Sequence, residues 1–169
     1  LHPKELEYIL GHSGCRLCFA TPDLHPALAG LAVPGLVEAI ETGSAAWDAL
    51  FVAPIEAAER APTDPAWLFY TSGTTGRPKG VTLTQRNLMA AILNYFADVD
   101  AIAPGDAIIH AAPMSHGSGF YMLPHVAHGG LNVTPESGGF EPAEIFELLR
   151  AHRGVTMFAA PTMVKRLVE

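Results

Sequence analysis

Apolar residues in this chain recur at helical spacing in some stretches and form short unbroken runs in others, and the two patterns alternate. Leu6, Ile9 and Leu10 share a helical face in a segment that Pro3 can open and Gly11 or Gly14 can close. Residues 15–20 read as a strand. Residues 21–50 carry Pro22, Pro26 and Pro34, with a short helix expected over 36–41. Residues 52–66, rich in Pro, Ala and Glu, read as a surface connection. Two apolar runs, 66–70 and 81–83, then flank a polar loop. Thr84 is a good N-cap for the strongest helical stripe, Leu88, Ala91, Ile92, Tyr95 and Phe96. Beyond it the pattern predicts a buried strand (107–112), a turn (113–119), a helix (120–128) ended by Gly129 and Gly130, and a strand (131–134). A helix opened by Pro142 (142–152), a strand (155–159) and a final helix (162–169) complete it. Strands separated by helices of this length give an α/β class, a mainly parallel sheet with flanking helices.

The polar loop changes the picture most. Between Phe69 and Val81, four hydroxyl residues (Thr71, Ser72, Thr74, Thr75) interleave with three glycines (Gly73, Gly76, Gly80), and Lys79 stands near the end. Glycines let backbone N–H groups turn toward one point, hydroxyls add donors, and lysine adds a mobile positive charge. That set suits a polyphosphate. A Walker loop would need glycine before the lysine and Ser or Thr after it, whereas Pro78 and Gly80 stand there. A Gly-x-Gly-x-x-Gly fingerprint is absent from the segment too. A Gly/Thr hairpin without a ligand is the plainer alternative.

Charge narrows the partners. The chain has 169 residues, 49% of them hydrophobic, and a formal net charge of −7, which argues against a nucleic-acid surface. Yet Arg77, Lys79 and Arg86, three of the ten Lys and Arg residues, cluster at the loop. A local basic patch on an acidic chain fits a small anion, although solvated side chains would read the same way. No Asp, Glu, Lys or Arg occurs from residue 107 to 135. Prolines and glycines break that run well short of a membrane span, so it is either core or the wall of an apolar pocket. The first five residues carry no signal-peptide character, and a cytoplasmic location is the expectation.

Cys15 and Cys18 form a Cys-x-x-Cys pair. On a strand, residues three apart face opposite ways, so buried free thiols are expected rather than a disulfide or half a zinc site. His125 and His128 stand three apart on the expected helix and could join His116 at a metal, but no carboxylate is closer in sequence than Glu136. No dedicated metal site is expected. His116 itself sits in a Gly- and Ser-flanked turn after a buried strand, where open α/β sheets place ligands. A hydrogen-bonded turn histidine is the alternative.

The run Tyr70-Thr71-Ser72-Gly73-Thr74-Thr75-Gly76-Arg77-Pro78-Lys79-Gly80-Val81 resembles the signature of the adenylate-forming (AMP-binding) enzymes: the acyl- and aryl-CoA synthetases, luciferases and peptide-synthetase adenylation domains. Residues 2–10, 83–88 and 158–163 resemble further family segments, with Gln85 where a His is more usual. The resemblance covers residues 1–169 and implies part of the family's large N-terminal domain. It implies that Thr71, Ser72, Gly73, Thr74, Thr75, Gly76, Lys79 and Gly80 bind the β- and γ-phosphates of ATP. The Pro-x-x-His-x-x-Gly spacing resembles the second shared motif of the acyl-CoA synthetases, and it implies that His116 borders the acyl carboxylate and α-phosphate as a catalytic residue. It further implies ATP and a fatty or other carboxylic acid as substrates, coenzyme A as the thiol cosubstrate, and Mg²⁺ bridging the phosphates with its protein carboxylate ligand outside these residues. Residues 112–119 hold no Asp to grip an amino group, which favours a ligase of non-amino acids over a peptide-synthetase domain.

The family's Tyr-Gly-x-Thr-Glu, Thr-Gly-Asp, hinge and C-terminal lysine segments have no counterpart here. The chain is therefore expected to be an internal piece of a larger enzyme, inactive by itself. A phosphotransferase or ATPase, and a non-catalytic nucleotide-binding module, remain alternatives. Uncovered sheet edges would favour self-association.

Overall fold

Helix α1 (Pro3–Ser13) begins where Pro3 fixes the first turn, and His2 and Glu5 close a capping box around it. The His2 ring accepts from the Lys4 amide at 3.2 Å, and the Glu5 carboxylate accepts from the His2 amide at 2.9 Å. Gly14, at φ 66°, ends the helix in the left-handed region open to glycine. Strand β1 (Leu17–Ala20), short helix α2 (His25–Ala29), strand β2 (Glu38–Glu41) and short helix α3 (Ala45–Asp48) follow. The computed structural model describes residues 2–71 and 77–169. Ser72, Gly73, Thr74, Thr75 and Gly76, all assigned to phosphate binding, lie outside the described residues.

The expected helix over 36–41 is instead β2, paired in parallel with β1 from Leu17↔Glu38 to Ala20↔Glu41. Six residues cannot sustain an isolated helix, whereas the β1 ladder offers partners at once. The Val37 amide already donates to the Arg16 carbonyl at 2.7 Å. The chain from 51 to 64 has no regular element, and 51–63 are exposed throughout. Strands β3 (Pro65–Thr71) and β4 (Lys79–Thr84) then form an antiparallel hairpin, and helix α4 (Gln85–Asp98) starts immediately after Thr84.

The chain divides into two compact units, Leu1–Gln85 and Arg86–Glu169. In the second, β5 (Asp106–Ile109), α5 (Gly117–Phe120), α6 (Met122–Ala127), β6 (Leu131–Val133), α7 (Pro142–Ala151), β7 (Arg153–Met157) and α8 (Pro161–Val168) follow in order. The sheet runs β6-β5-β7, all parallel, as the alternation of elements predicts. Only the β3–β4 hairpin departs from parallel pairing among the described strands. The helix expected over 120–128 is broken into α5 and α6 around Tyr121. Pro124 has no N–H to bond the Phe120 carbonyl, so the winding begun at Gly117 cannot run through unbroken.

Strand periodicity sorts the two faces of this sheet. Ile109 and Ala111 point to a dry core with Ile145, Val133, Leu148, Met157 and Leu167. Ile108 and His110 point the other way. Asn132 and Thr156, register partners of Ile108, share that second face, where the side chains of α5 and α6 meet it. One face is thus apolar and the other carries polar side chains, of which His110, Ser118 and His125 are buried. Ala107, Ile108 and Ile109 are fully buried, which fixes β5 as the rigid centre of the unit.

Candidate active site

At the mouth of the hairpin, Thr71 and Lys79 are direct cross-strand partners, and both are exposed. One step back, Tyr70 pairs with Gly80. The Tyr70 ring lies over that glycine: a Cβ at position 80 would come within 3.2 Å of the Tyr70 Cζ and of the Leu68 Cδ1. Glycine at 80 therefore serves close packing, beyond any freedom the loop requires. The Tyr70 hydroxyl lies 2.7 Å from Nδ1 of His12 on α1. His12 stacks on Tyr8 with ring centroids 5.2 Å apart, and the Arg77 guanidinium sits 5.8 Å above the Tyr8 ring. Both shoulders of the loop, Tyr70 before and Arg77 after, thus lean on one helix. Burial, and next the proximity of Tyr8, raise the Tyr70 phenol above its ordinary pKa, so it keeps its proton and can donate to His12.

In the second unit, His116 is the N-cap residue of α5, with extended backbone and an exposed side chain. Its Nδ1 lies 3.0 Å from the Ser115 hydroxyl, and its amide donates to the Pro113 carbonyl at 3.1 Å. The Gly-Ser-Gly that follows is tightly seated. A Cβ on Gly117 would meet the Phe158 ring at 2.7 Å, and one on Gly119 would overlap the Met114 carbonyl. Between them Ser118 is fully buried, its hydroxyl 2.9 Å from Nδ1 of His110. The other ring nitrogen of His110 is 2.9 Å from the Asn132 side-chain oxygen. His110, Ser118 and Asn132 were not among the residues singled out from sequence. The legible signal was a polar residue at the end of an otherwise apolar strand.

The charge-free run from 107 to 135 serves as both core and wall. Residues 110–114, with Thr134, Pro135, Gly138 and Gly139, line a cavity of about 370 Å³ at the C-terminal ends of β5 and β6. Open α/β sheets bind ligands at such strand ends.

The remaining candidates separate into structural partners. His125 is fully buried, its Nδ1 2.9 Å from the Tyr121 carbonyl and its Nε2 3.0 Å from the Thr156 hydroxyl. Burial holds its pKa below the ordinary histidine value, despite the opposing Tyr121 carbonyl. His128 bonds the Ile102 carbonyl at 3.1 Å and stacks on Phe96 at 3.9 Å. Among the described residues no three His, Cys, Asp or Glu side chains converge where a metal ion could sit. Cys15 and Cys18 are free thiols but half-exposed rather than buried, because β1 starts only at Leu17 and belongs to a two-stranded sheet. No helix among the described residues is long and apolar enough to cross a membrane.

Comparison with known proteins agrees with this architecture. Sulfoacetate–CoA ligase of Cupriavidus necator is 36% identical over 98% of this chain and 34% of its own length. The 3-hydroxybenzoate–CoA ligase of an Aromatoleum species is 30% identical over 99% of this chain and 34% of its own. The chain thus spans about a third of the length of these relatives. A putative long-chain-fatty-acid CoA ligase from Rhodopseudomonas palustris shares the fold, with a TM-score of 0.84 and 24% identity over 99% of this chain and 44% of that one. ATP-bound MatB from the same organism superposes with a TM-score of 0.79 at 28% identity, over 100% of this chain and 34% of that one. The family model for AMP-binding enzymes matches residues 1–169, and the chain belongs to that family.

Proposed function

We propose that the whole protein carrying this chain activates a small carboxylic acid with ATP and passes the acyl group to coenzyme A. The observation that carries the reading is the hairpin mouth, where Thr71 and Lys79 face each other at the two ends of the glycine and hydroxyl segment. A carboxylate oxygen attacks the α-phosphorus, the bond to the bridging oxygen breaks, and pyrophosphate leaves with its electron pair. Thr71, Ser72, Gly73, Thr74, Thr75, Gly76 and Gly80 supply N–H and O–H donors to the β- and γ-phosphates. The Lys79 ammonium offsets the charge gathering on the leaving group, the kind of stabilisation that counts most in the transition state. His116, exposed at the turn after β5, borders the reacting carboxylate. In the second half, the coenzyme A sulfur attacks the acyl carbon, AMP departs, and the thiol proton passes to solvent.

Several relatives are named for sulfoacetate, 3-hydroxybenzoate, benzoate and ferulate, so a compact acid with an aryl or anionic substituent is the first substrate class to try. The test is product analysis on the whole protein with ATP, coenzyme A and a panel of these four acids. AMP, pyrophosphate and a thioester in equal amounts support the reading. ADP and orthophosphate would replace it with a phosphotransferase or ATPase.

A further inference from the structure

We infer that His110 is a positioning residue for His116, acting through the buried hydroxyl of Ser118. This rests on the functional reading above. The His110 backbone is fixed first, since its amide donates to the Val133 carbonyl at 2.8 Å. Its ring is then held from both sides. The Asn132 oxygen accepts, which places the ring proton on Nε2, and the bare Nδ1 accepts from the Ser118 hydroxyl. Ser118 lies two residues beyond His116 and is flanked by glycines seated against the Phe158 ring and the Met114 carbonyl. The backbone that carries His116 is therefore gripped on three sides while the imidazole itself stays exposed.

His110 and Ser118 are buried, while Asn132 at the far end of the triad is exposed, and a satisfied polar pair inside a fold rigidifies one arrangement of its neighbours. What such a pair fixes here is a bonded triad running from Asn132 on β6, through His110 at the end of β5, to the turn beside His116, and it sets where that side chain starts. A misplacement of about 1 Å in a reacting group can cost two orders of magnitude in rate. The sheet face supplies its own control. His125, buried, and Thr156, half-buried, form a second histidine–hydroxyl pair on the same face, but it ties α6 to β7 rather than the His116 turn to β5.

The experiment uses the whole protein and compares Ser118→Ala, His110→Gln, Thr156→Val, His116→Ala and the double variant S118A/H116A. Acid-dependent ATP–pyrophosphate exchange gives kcat and KM for acid and ATP, and thermal midpoints are recorded alongside. We expect Ser118→Ala and His110→Gln each to lower kcat/KM for the acid by about tenfold or more, with KM for ATP little changed. In the His116→Ala background, Ser118→Ala should add nothing. Thr156→Val should move the thermal midpoint alone. Additive losses in the double variant would overturn the inference. So would activity losses in Thr156→Val that match those of Ser118→Ala, or a Ser118→Ala enzyme with unchanged kcat/KM. If Ser118→Ala does not fold, His110→Gln carries the same comparison. Wild-type protein without acid-dependent exchange would remove the functional reading itself, and the inference with it.

Discussion

The Tyr70 phenol and the His12 imidazole meet at 2.7 Å across 58 residues of sequence, joining the first helix to the strand that leads into the glycine and hydroxyl segment. The contact belongs to a cluster in which Tyr8 stacks on His12 and Tyr70 meets His12 edge to face, with Arg77 above Tyr8. The family signature and the helix at the other end of the unit are thus mechanically linked.

That link predicts energetic coupling. Tyr70→Phe and His12→Phe should each cost no more than about 1 kcal/mol, the net worth of one hydrogen bond. The double variant should cost less than the sum of the two, because either change already removes the bond. Urea midpoints of the four proteins measure this directly, and strictly additive losses would deny the bond any role.

Two glycines should respond in opposite directions. Gly11 lies in α1 and a Cβ there meets nothing, so Gly11→Ala should stabilise by roughly 0.5–1 kcal/mol. Gly119→Ala would drive a methyl into the Met114 carbonyl and should cost about 3 kcal/mol or leave the protein insoluble. Equilibrium unfolding of both variants provides the comparison.

Stability should also fall in acid through His125. Its folded pKa lies below the ordinary value because burial penalises the imidazolium. The unfolded state then binds the proton more readily, so stability rises with pH across the interval between the two values. The contribution is intact above the unfolded value of about 6.5 and is lost progressively below it. Thermal midpoints at pH 8 and pH 5 should differ by less in His125→Gln than in wild type. An equal difference in both would show that His125 stays out of the proton balance.

The parallel sheet of the second unit was legible because β5 is too apolar to be anything but central, and because helical stripes separate the strands. The hairpin was legible from two apolar runs around a turn-rich segment. β2 was not, since Val37, Glu38, Ala39, Ile40 and Glu41 commit to a strand only when β1 lies alongside. The break at Tyr121 was readable in hindsight from Pro124. His116 was singled out from its turn and the motif that turn resembles, but the residues packed beneath it were not. His110, Ser118 and Asn132 are far enough apart in sequence that only the register of β5 with β6 and the path of α5 bring them together.

Lys79 and the hydroxyl-rich segment before it are proposed to neutralise pyrophosphate as it leaves. Acid-dependent ATP–pyrophosphate exchange by the whole protein, wild type against Lys79→Ala, tests this most directly. Exchange should require a carboxylic acid and fall by at least about tenfold in the variant. Equal exchange in both proteins would contradict it.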